Sequence, residues 1–254
     1  MAIIGIIPAR FGSTRLPGKP LLSDTGWPLI RHVVEAAQRA KRLDRIVVAT
    51  DDVRIVEAVE AFGGEAVLTR SDHPSGTDRV AEVVDRIPEA RLIVNLQGDE
   101  PELSGEALDL VVELLETDPE APMATLATPI RDEATFRDPS CVKVVRSIRG
   151  RALYFSRSPI PHHRDAPPDF TAEPPAALLH LGLYAYRRDF LLELAKLPPS
   201  PLESAEKLEQ LRVLEAGHPI ALGIVQERSV GIDTPEDYRR FVERWQAGRP
   251  SIAE

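Results

Sequence analysis

The chain has 254 residues, 43% of them hydrophobic, enough to bury the core of a large α/β domain. A net charge of −9 argues against nucleic acid or an anionic membrane as the main partner, since both reward a basic surface. Cys141 is the sole cysteine, which rules out an internal disulfide and fits a reducing, cytoplasmic setting.

The first residues lack a basic segment followed by a long apolar run, and no window approaches 18 uninterrupted apolar residues. The expectation is a protein neither exported nor inserted in a membrane. An apolar run from Ile3 to Ile7 reads as a strand buried on both faces, ending at Pro8. The loop that follows carries three cations, Arg10, Arg15 and Lys19, and no acid occurs before Asp24. Such a loop can present backbone N–H groups and positive charge to an anion beyond the carboxyl end of the strand. It has neither the G-x-x-x-x-G-K-[ST] nor the G-x-G-x-x-G order, which disfavours a P-loop NTPase and an ordinary dinucleotide dehydrogenase.

Helical spacing predicts a helix over residues 28–41, then a strand over 45–50, a helix over 53–62 and a short strand over 66–68. Ser75 to Asp78 can cap a helix running to about residue 87. A strand over 91–96 ends in Gln97-Gly98-Asp99, which puts Asp99 in the crevice where α/β sheets bind ligands, as a loop residue or as a metal ligand. A helix over 104–116 capped by Ser104 and a strand over 123–130 follow. Strands 142–146 and 152–156, joined by a turn at Gly150, read as antiparallel. Residues 159–175 are proline-dense and read as a surface excursion, with His162 and His163 as solvated loop residues.

Residues 178–186 form a strand whose His180, Gly182, Tyr184 and Tyr186 share one side, either a pocket wall or core. One helix is predicted from Pro201 to about residue 217, a strand over 220–225, and a last helix ending near residue 245 before a tail over 247–254. Asp233 is either the cap of that last helix or a second metal carboxylate.

The run Ile-Pro-Ala-Arg-x-x-Ser-Thr-Arg-Leu-Pro-Gly-Lys-Pro-Leu, from Ile7 to Leu21, resembles the nucleotide-binding signature of cytidylyltransferases that activate acidic sugars. The likeness is greatest to the CMP-Kdo synthetase (3-deoxy-manno-octulosonate cytidylyltransferase) family, and it extends from Ile3 to about Val242. It implies a single-domain α/β fold of the nucleotide-diphospho-sugar transferase (Rossmann-like) type. The sheet would be mixed and mostly parallel, flanked by helices, with a smaller antiparallel later portion. Residues 1–130 would bind the nucleotide, and 131–246 the sugar and a second subunit of a homodimer.

The resemblance assigns CTP to Pro8, Ala9, Arg10, Ser13, Arg15, Lys19, Arg70, Ser75, Gly76, Thr77 and Gln97. It assigns the sugar, 3-deoxy-manno-octulosonate (Kdo), to Gln97, Arg157, His180, Tyr184, Glu209 and Gln210. Mg²⁺ would be held by Asp99 and Asp233, and Arg10, Lys19, Asp99 and Asp233 would be catalytic. Two alternatives remain open: a cytidylyltransferase for another acidic sugar, such as 8-amino-Kdo or sialic acid, or a non-catalytic nucleotide-sugar-binding protein.

Overall fold

Three apolar runs close to the amino terminus pair in parallel. In the computed structural model, which describes residues 2–12, 16–226 and 230–248, β1 (Ala2–Ala9) lies beside β2 (Arg45–Thr50), in register from Ile4 opposite Arg45 to Ala9 opposite Thr50. β2 in turn pairs in parallel with β3 (Ala66–Leu68). Ile6, Ile7, Val47 and Val48 are fully buried, as strands covered on both faces require. β1 continues past Pro8 to Ala9, one residue beyond the expected end, because a strand end accommodates proline.

The crossovers are α1 (Leu29–Ala37) and α2 (Val53–Ala61), the latter capped by Asp52, whose carboxylate accepts from Arg54 N–H. α1 stops short of the expected residue 41. The N–H groups of Arg39 and Ala40 donate to carbonyls three residues back, which tightens and ends the helix. α3 (Gly76–Asp85) starts at Ser75, whose hydroxyl accepts from Asp78 N–H. β4 (Ala90–Asn95) follows, and Leu96 N–H donates to Ile6 C=O at 2.9 Å, so the exit of β4 lies beside β1.

The described residues form two compact units, one of residues 2–12, 16–90, 95–106 and 230–248, the other of 91–94 and 107–226. The second unit is built on β5 (Met123–Pro129), which follows α4 (Gly105–Thr117). After a five-residue helix that sequence reading did not foresee, α5 (Glu133–Arg137), come β6 (Lys143–Arg146) and β7 (Ala152–Ser156), which pair antiparallel as expected. Residues 159–175 carry no regular structure, but His163 is half-buried and edge-on to Phe136, so it packs rather than being fully solvated.

β8 (Leu178–Arg187) runs antiparallel to β5 and β6 and leads into α6 (Arg188–Leu194). The single helix expected over 201–217 is two, α7 (Pro201–Glu206) and α8 (Gln210–Glu215). Lys207 breaks it with a left-handed backbone, φ 54°. β9 (Ile220–Ile224) pairs in parallel with β5.

The chain returns to the first unit with α9 (Pro235–Ala247), whose Tyr238 and Phe241 pack with Leu16, Leu29 and Ile232. No described helix is long and apolar enough to cross a membrane.

Candidate active site

The site in the first unit is organised by Lys19. Gly18, left-handed at φ +66°, lets the chain turn, and its N–H donates to Phe11 C=O at 3.1 Å, closing the base of the cationic loop. Lys19 then opens a 3₁₀ turn (Lys19–Leu21), and its ammonium donates to Asp99 Oδ2 at 2.8 Å, Ile232 C=O at 2.7 Å and Asp233 Oδ1 at 3.5 Å. Two acids far apart in sequence therefore meet on one positive charge. A main-chain bond fixes their proximity, since Ile232 N–H donates to Asp99 C=O at 2.9 Å.

Asp233 is not the cap of α9. Thr234 takes that place in a capping box with Asp237, which leaves the Asp233 carboxylate for Lys19. Among the described residues no group of three or more His, Cys, Asp or Glu side chains could hold a metal ion. Mg²⁺ bound with a nucleotide needs only one or two carboxylates, the remaining positions going to phosphate oxygens and water. The paired acids already surround a cation, so their donor chemistry fits such an ion.

Arg10, exposed at the end of β1, donates through Nη2 to His73 C=O at 2.7 Å. His73 is in turn held by its ring to the Glu82 carboxylate, which also accepts from Arg70 N–H. Glu82 thus fastens both ends of the 70–73 turn, a role with no sequence signature beyond its place on α3. The Arg70 guanidinium is exposed and paired with Asp72. Thr77 is buried in the first turn of α3, and Gln97 is half-buried at the exit of β4. Ser13 and Arg15 lie outside the described residues.

The glycine the fold requires here is Gly98. A Cβ there would sit 2.6 Å from Pro8 C=O, whereas one on Gly76 would meet Pro8 Cγ at an ordinary 3.6 Å. Gly98→Ala is expected to displace β1 from the exit of β4 and cost about 1–3 kcal/mol, read as a lowered melting temperature. Gly76→Ala in the nucleotide-free protein should melt close to wild type.

The residues assigned to the sugar lie in the second unit, apart from Gln97. β8 carries an irregularity opposite Thr125 and Leu126, which face Tyr184 and Leu181 respectively. The Thr125 hydroxyl donates towards the freed carbonyls of Leu181 and Leu183 and accepts from His180 Nε2 at 3.0 Å. Four residues of regular strand span about 13 Å. The bulge instead brings the His180 and Tyr184 rings to 5.4 Å, with Phe155 edge-on to His180 at 4.9 Å.

Burial pushes His180 down to about 3. It raises the Tyr184 hydroxyl well above its usual range, with the Glu209 charge adding to the shift. Both are therefore neutral hydrogen-bonding groups at physiological pH. Gln210 is 4% exposed and nothing accepts from its Nε2 among the described residues. The Arg157 guanidinium donates to the carbonyls of Glu206, Pro139 and Lys207 at 2.7, 3.0 and 3.4 Å.

The sequence model of a family described as cytidylyltransferase matches residues 4–224. A 3-deoxy-manno-octulosonate cytidylyltransferase of Syntrophotalea carbinolica is 51% identical, covering 94% of this chain and 97% of that protein. One of Geobacter sulfurreducens is 49% identical over 96% and 99%. A solved CMP:2-keto-3-deoxy-manno-octonic acid synthetase in complex with CTP is 44% identical, with a TM-score of 0.91 over 98% of this chain and all of that one. The chain belongs to the 3-deoxy-manno-octulosonate cytidylyltransferase family.

For a cytidylyltransferase, the low value at His180 has a consequence for stability. An unfolded histidine takes up a proton below about pH 6.5, while the folded one resists until about pH 3. Between those values the unfolded chain binds more protons, so stability is full above about 6.5 and falls as pH drops. Thermal melts should show this acid loss, and His180→Gln should flatten it between roughly pH 6.5 and 4.5. The pH profile of turnover should carry no inflection from His180.

Proposed function

We propose that this enzyme transfers CMP from CTP to the anomeric 2-hydroxyl of 3-deoxy-manno-octulosonate, giving the CMP-sugar and pyrophosphate and activating the sugar for lipopolysaccharide biosynthesis. The observation that carries the reading is the meeting of Asp99 and Asp233 on Lys19, in a chain half identical to relatives that bear this activity's name.

The 2-hydroxyl oxygen attacks the α-phosphorus, the bond to the bridging oxygen of pyrophosphate breaks, and the hydroxyl proton is lost to solvent. Transfer of this type depends on positioning and charge neutralisation more than on a nucleophilic side chain. Lys19 and Arg10 face the triphosphate and offset the charge that moves to the leaving group. Asp99 and Asp233 would hold Mg²⁺, which when bound neutralises phosphate oxygens and acidifies a coordinated hydroxyl. Arg70, Ser75, Gly76 and Thr77 present donors and acceptors to the cytidine, and Ser13, Arg15 and Gln97 complete the nucleotide contacts.

In the second unit, neutral His180, protonated Tyr184, the Glu209 carboxylate and the unpartnered Nε2 of Gln210 suit a polyhydroxyl chain. Arg157 supplies positive charge towards the sugar carboxylate. A homodimer in the cytoplasm belongs to the same reading. The free Cys141 supports a reducing compartment, and sedimentation would measure the dimer.

The test is pyrophosphate release from CTP with Mg²⁺, comparing kcat/KM for 3-deoxy-manno-octulosonate, its 8-amino analogue, N-acetylneuraminate and a hexose 1-phosphate. The first should lead. A preference for another acid reassigns the acceptor, and binding of CTP without release of pyrophosphate by any acceptor overturns the activity.

A further inference from the structure

The break between α7 and α8 has an identifiable cause. In a continuous helix the carbonyls of Glu206 and Lys207 would accept from the N–H groups of residues 210 and 211. Here Arg157 takes both, Nε donating to Glu206 C=O at 2.7 Å and Nη2 to Lys207 C=O at 3.4 Å. The Glu206 carboxylate completes the join, accepting from Ser156 Oγ at 2.6 Å and from Arg157 N–H at 2.9 Å. The end of β7 and the end of α7 are thus fastened by main chain and side chain together.

The β7 side of this latch is itself rigid. Lys143 is wholly buried, and its ammonium donates to the carbonyls of Arg157 and Cys141 at 2.6 Å and of Asp138 at 2.9 Å. On the other side the backbone is under strain. Lys207 is the only non-glycine residue with positive φ among the described residues, a conformation a side chain with a Cβ disfavours. Immediately beyond it come Glu209, whose charge reaches the Tyr184 hydroxyl, and Gln210, whose buried amide has a donor to spare. A strained residue and an unsatisfied buried donor within four positions are costly for folding alone.

We propose that Glu206 is a positioning residue for the acceptor sugar. It fixes segment 206–210 against β7 so that Glu209 and Gln210 meet the hydroxyl groups, while Arg157 acts on the same latch through its carbonyl contacts. The proposal rests on the acceptor site described above and extends it to a residue that itself touches no substrate.

The experiment measures KM for 3-deoxy-manno-octulosonate and for CTP, with amide hydrogen exchange, in wild type, Glu206→Ala, Glu206→Gln and Lys207→Gly. In Glu206→Ala the acceptor KM should rise about tenfold or more, the factor carried by a lost hydrogen bond in a dry site. CTP KM should hold, and exchange should quicken at residues 207–211. Glu206→Gln keeps length and an acceptor oxygen, so it should recover most of the loss, and it serves in place of the alanine variant if that fails to fold. Lys207→Gly takes the left-handed turn without penalty, so acceptor KM should stay near wild type and the melting temperature should not fall.

An unchanged acceptor KM in a folded Glu206→Ala overturns the proposal, as does a parallel rise for CTP and sugar, which would mean a general structural role. If wild type itself uses a different acceptor, the activity reading is what fails, and the latch is judged on that acceptor and on the exchange of 207–211. Wild type inactive with every acceptor overturns both.

Discussion

Replacing Lys19 with methionine is expected to lower turnover by about 10²–10³, the usual weight of one preorganised electrostatic contact with developing charge. Methionine keeps the length of the stem and removes only the ammonium. Without it, the Asp99 and Asp233 carboxylates lose the positive charge they share and meet an incoming triphosphate with less to offset them, so repulsion adds to the lost attraction. Stability should fall modestly, by about 1–3 kcal/mol: the two acids are 28% and 47% exposed, so water can solvate them once the lysine is gone, but the lysine, itself 13% exposed, also gives up its bond to the Ile232 carbonyl. With Mg²⁺ held by Asp99 and Asp233 as proposed, the variant should also reach half-maximal rate at lower Mg²⁺, because the ammonium would then compete for the same oxygens. A circular-dichroism melt beside a pyrophosphate-release assay over a Mg²⁺ series checks all three. Near-normal turnover in folded protein would sink the role of Lys19.

Asp99→Asn and Asp233→Asn should each depress turnover and raise the Mg²⁺ requirement. Asp99→Asn should cost more, about 10²–10³ again, as this acid is the less exposed and lies nearer the lysine, at 2.8 against 3.5 Å. The double variant should be little worse than Asp99→Asn alone, because groups that act as a unit lose their effect together. Rate against Mg²⁺ concentration for all four proteins is the measurement. An unaltered Mg²⁺ dependence in Asp233→Asn would separate Asp233 from the metal and leave Asp99 with Lys19 alone.

Much of the site's inventory was legible because it rests on local physics. A cationic loop after a buried strand, an acid past the end of another strand and a serine before a helical pattern are read within a few residues, and β1, β4 and the Ser75 cap are where that reading puts them. The pairing of Asp233 with Lys19 was not legible in the same way. Position alone left Asp233 as cap or ligand, and the choice depends on Thr234 being the better cap and on α9 folding back over Leu16 and Leu29. Gly98 reads as an ordinary turn glycine until the Pro8 carbonyl is found against it.

By itself, the sequence determined the strand order, the helices up to α4 and the last one, the parallel start of the sheet, and which residue types stand at the carboxyl ends of β1 and β4, since hydrophobic period and turn chemistry are short-range; the short helices α5 and α6 escaped it. The tertiary structure alone decided three things: that Lys19 stands between Asp99 and Asp233, that a bulge in β8 brings His180 to Tyr184, and that the helix expected over 201–217 breaks at Lys207. Each follows from a hydrogen bond between residues distant in the chain: Ile232 to Asp99, Thr125 to the carbonyls of β8, and Arg157 to those of Glu206 and Lys207. Periodicity carries no trace of such partners, because the groups that satisfy them are neighbours only after the chain has folded.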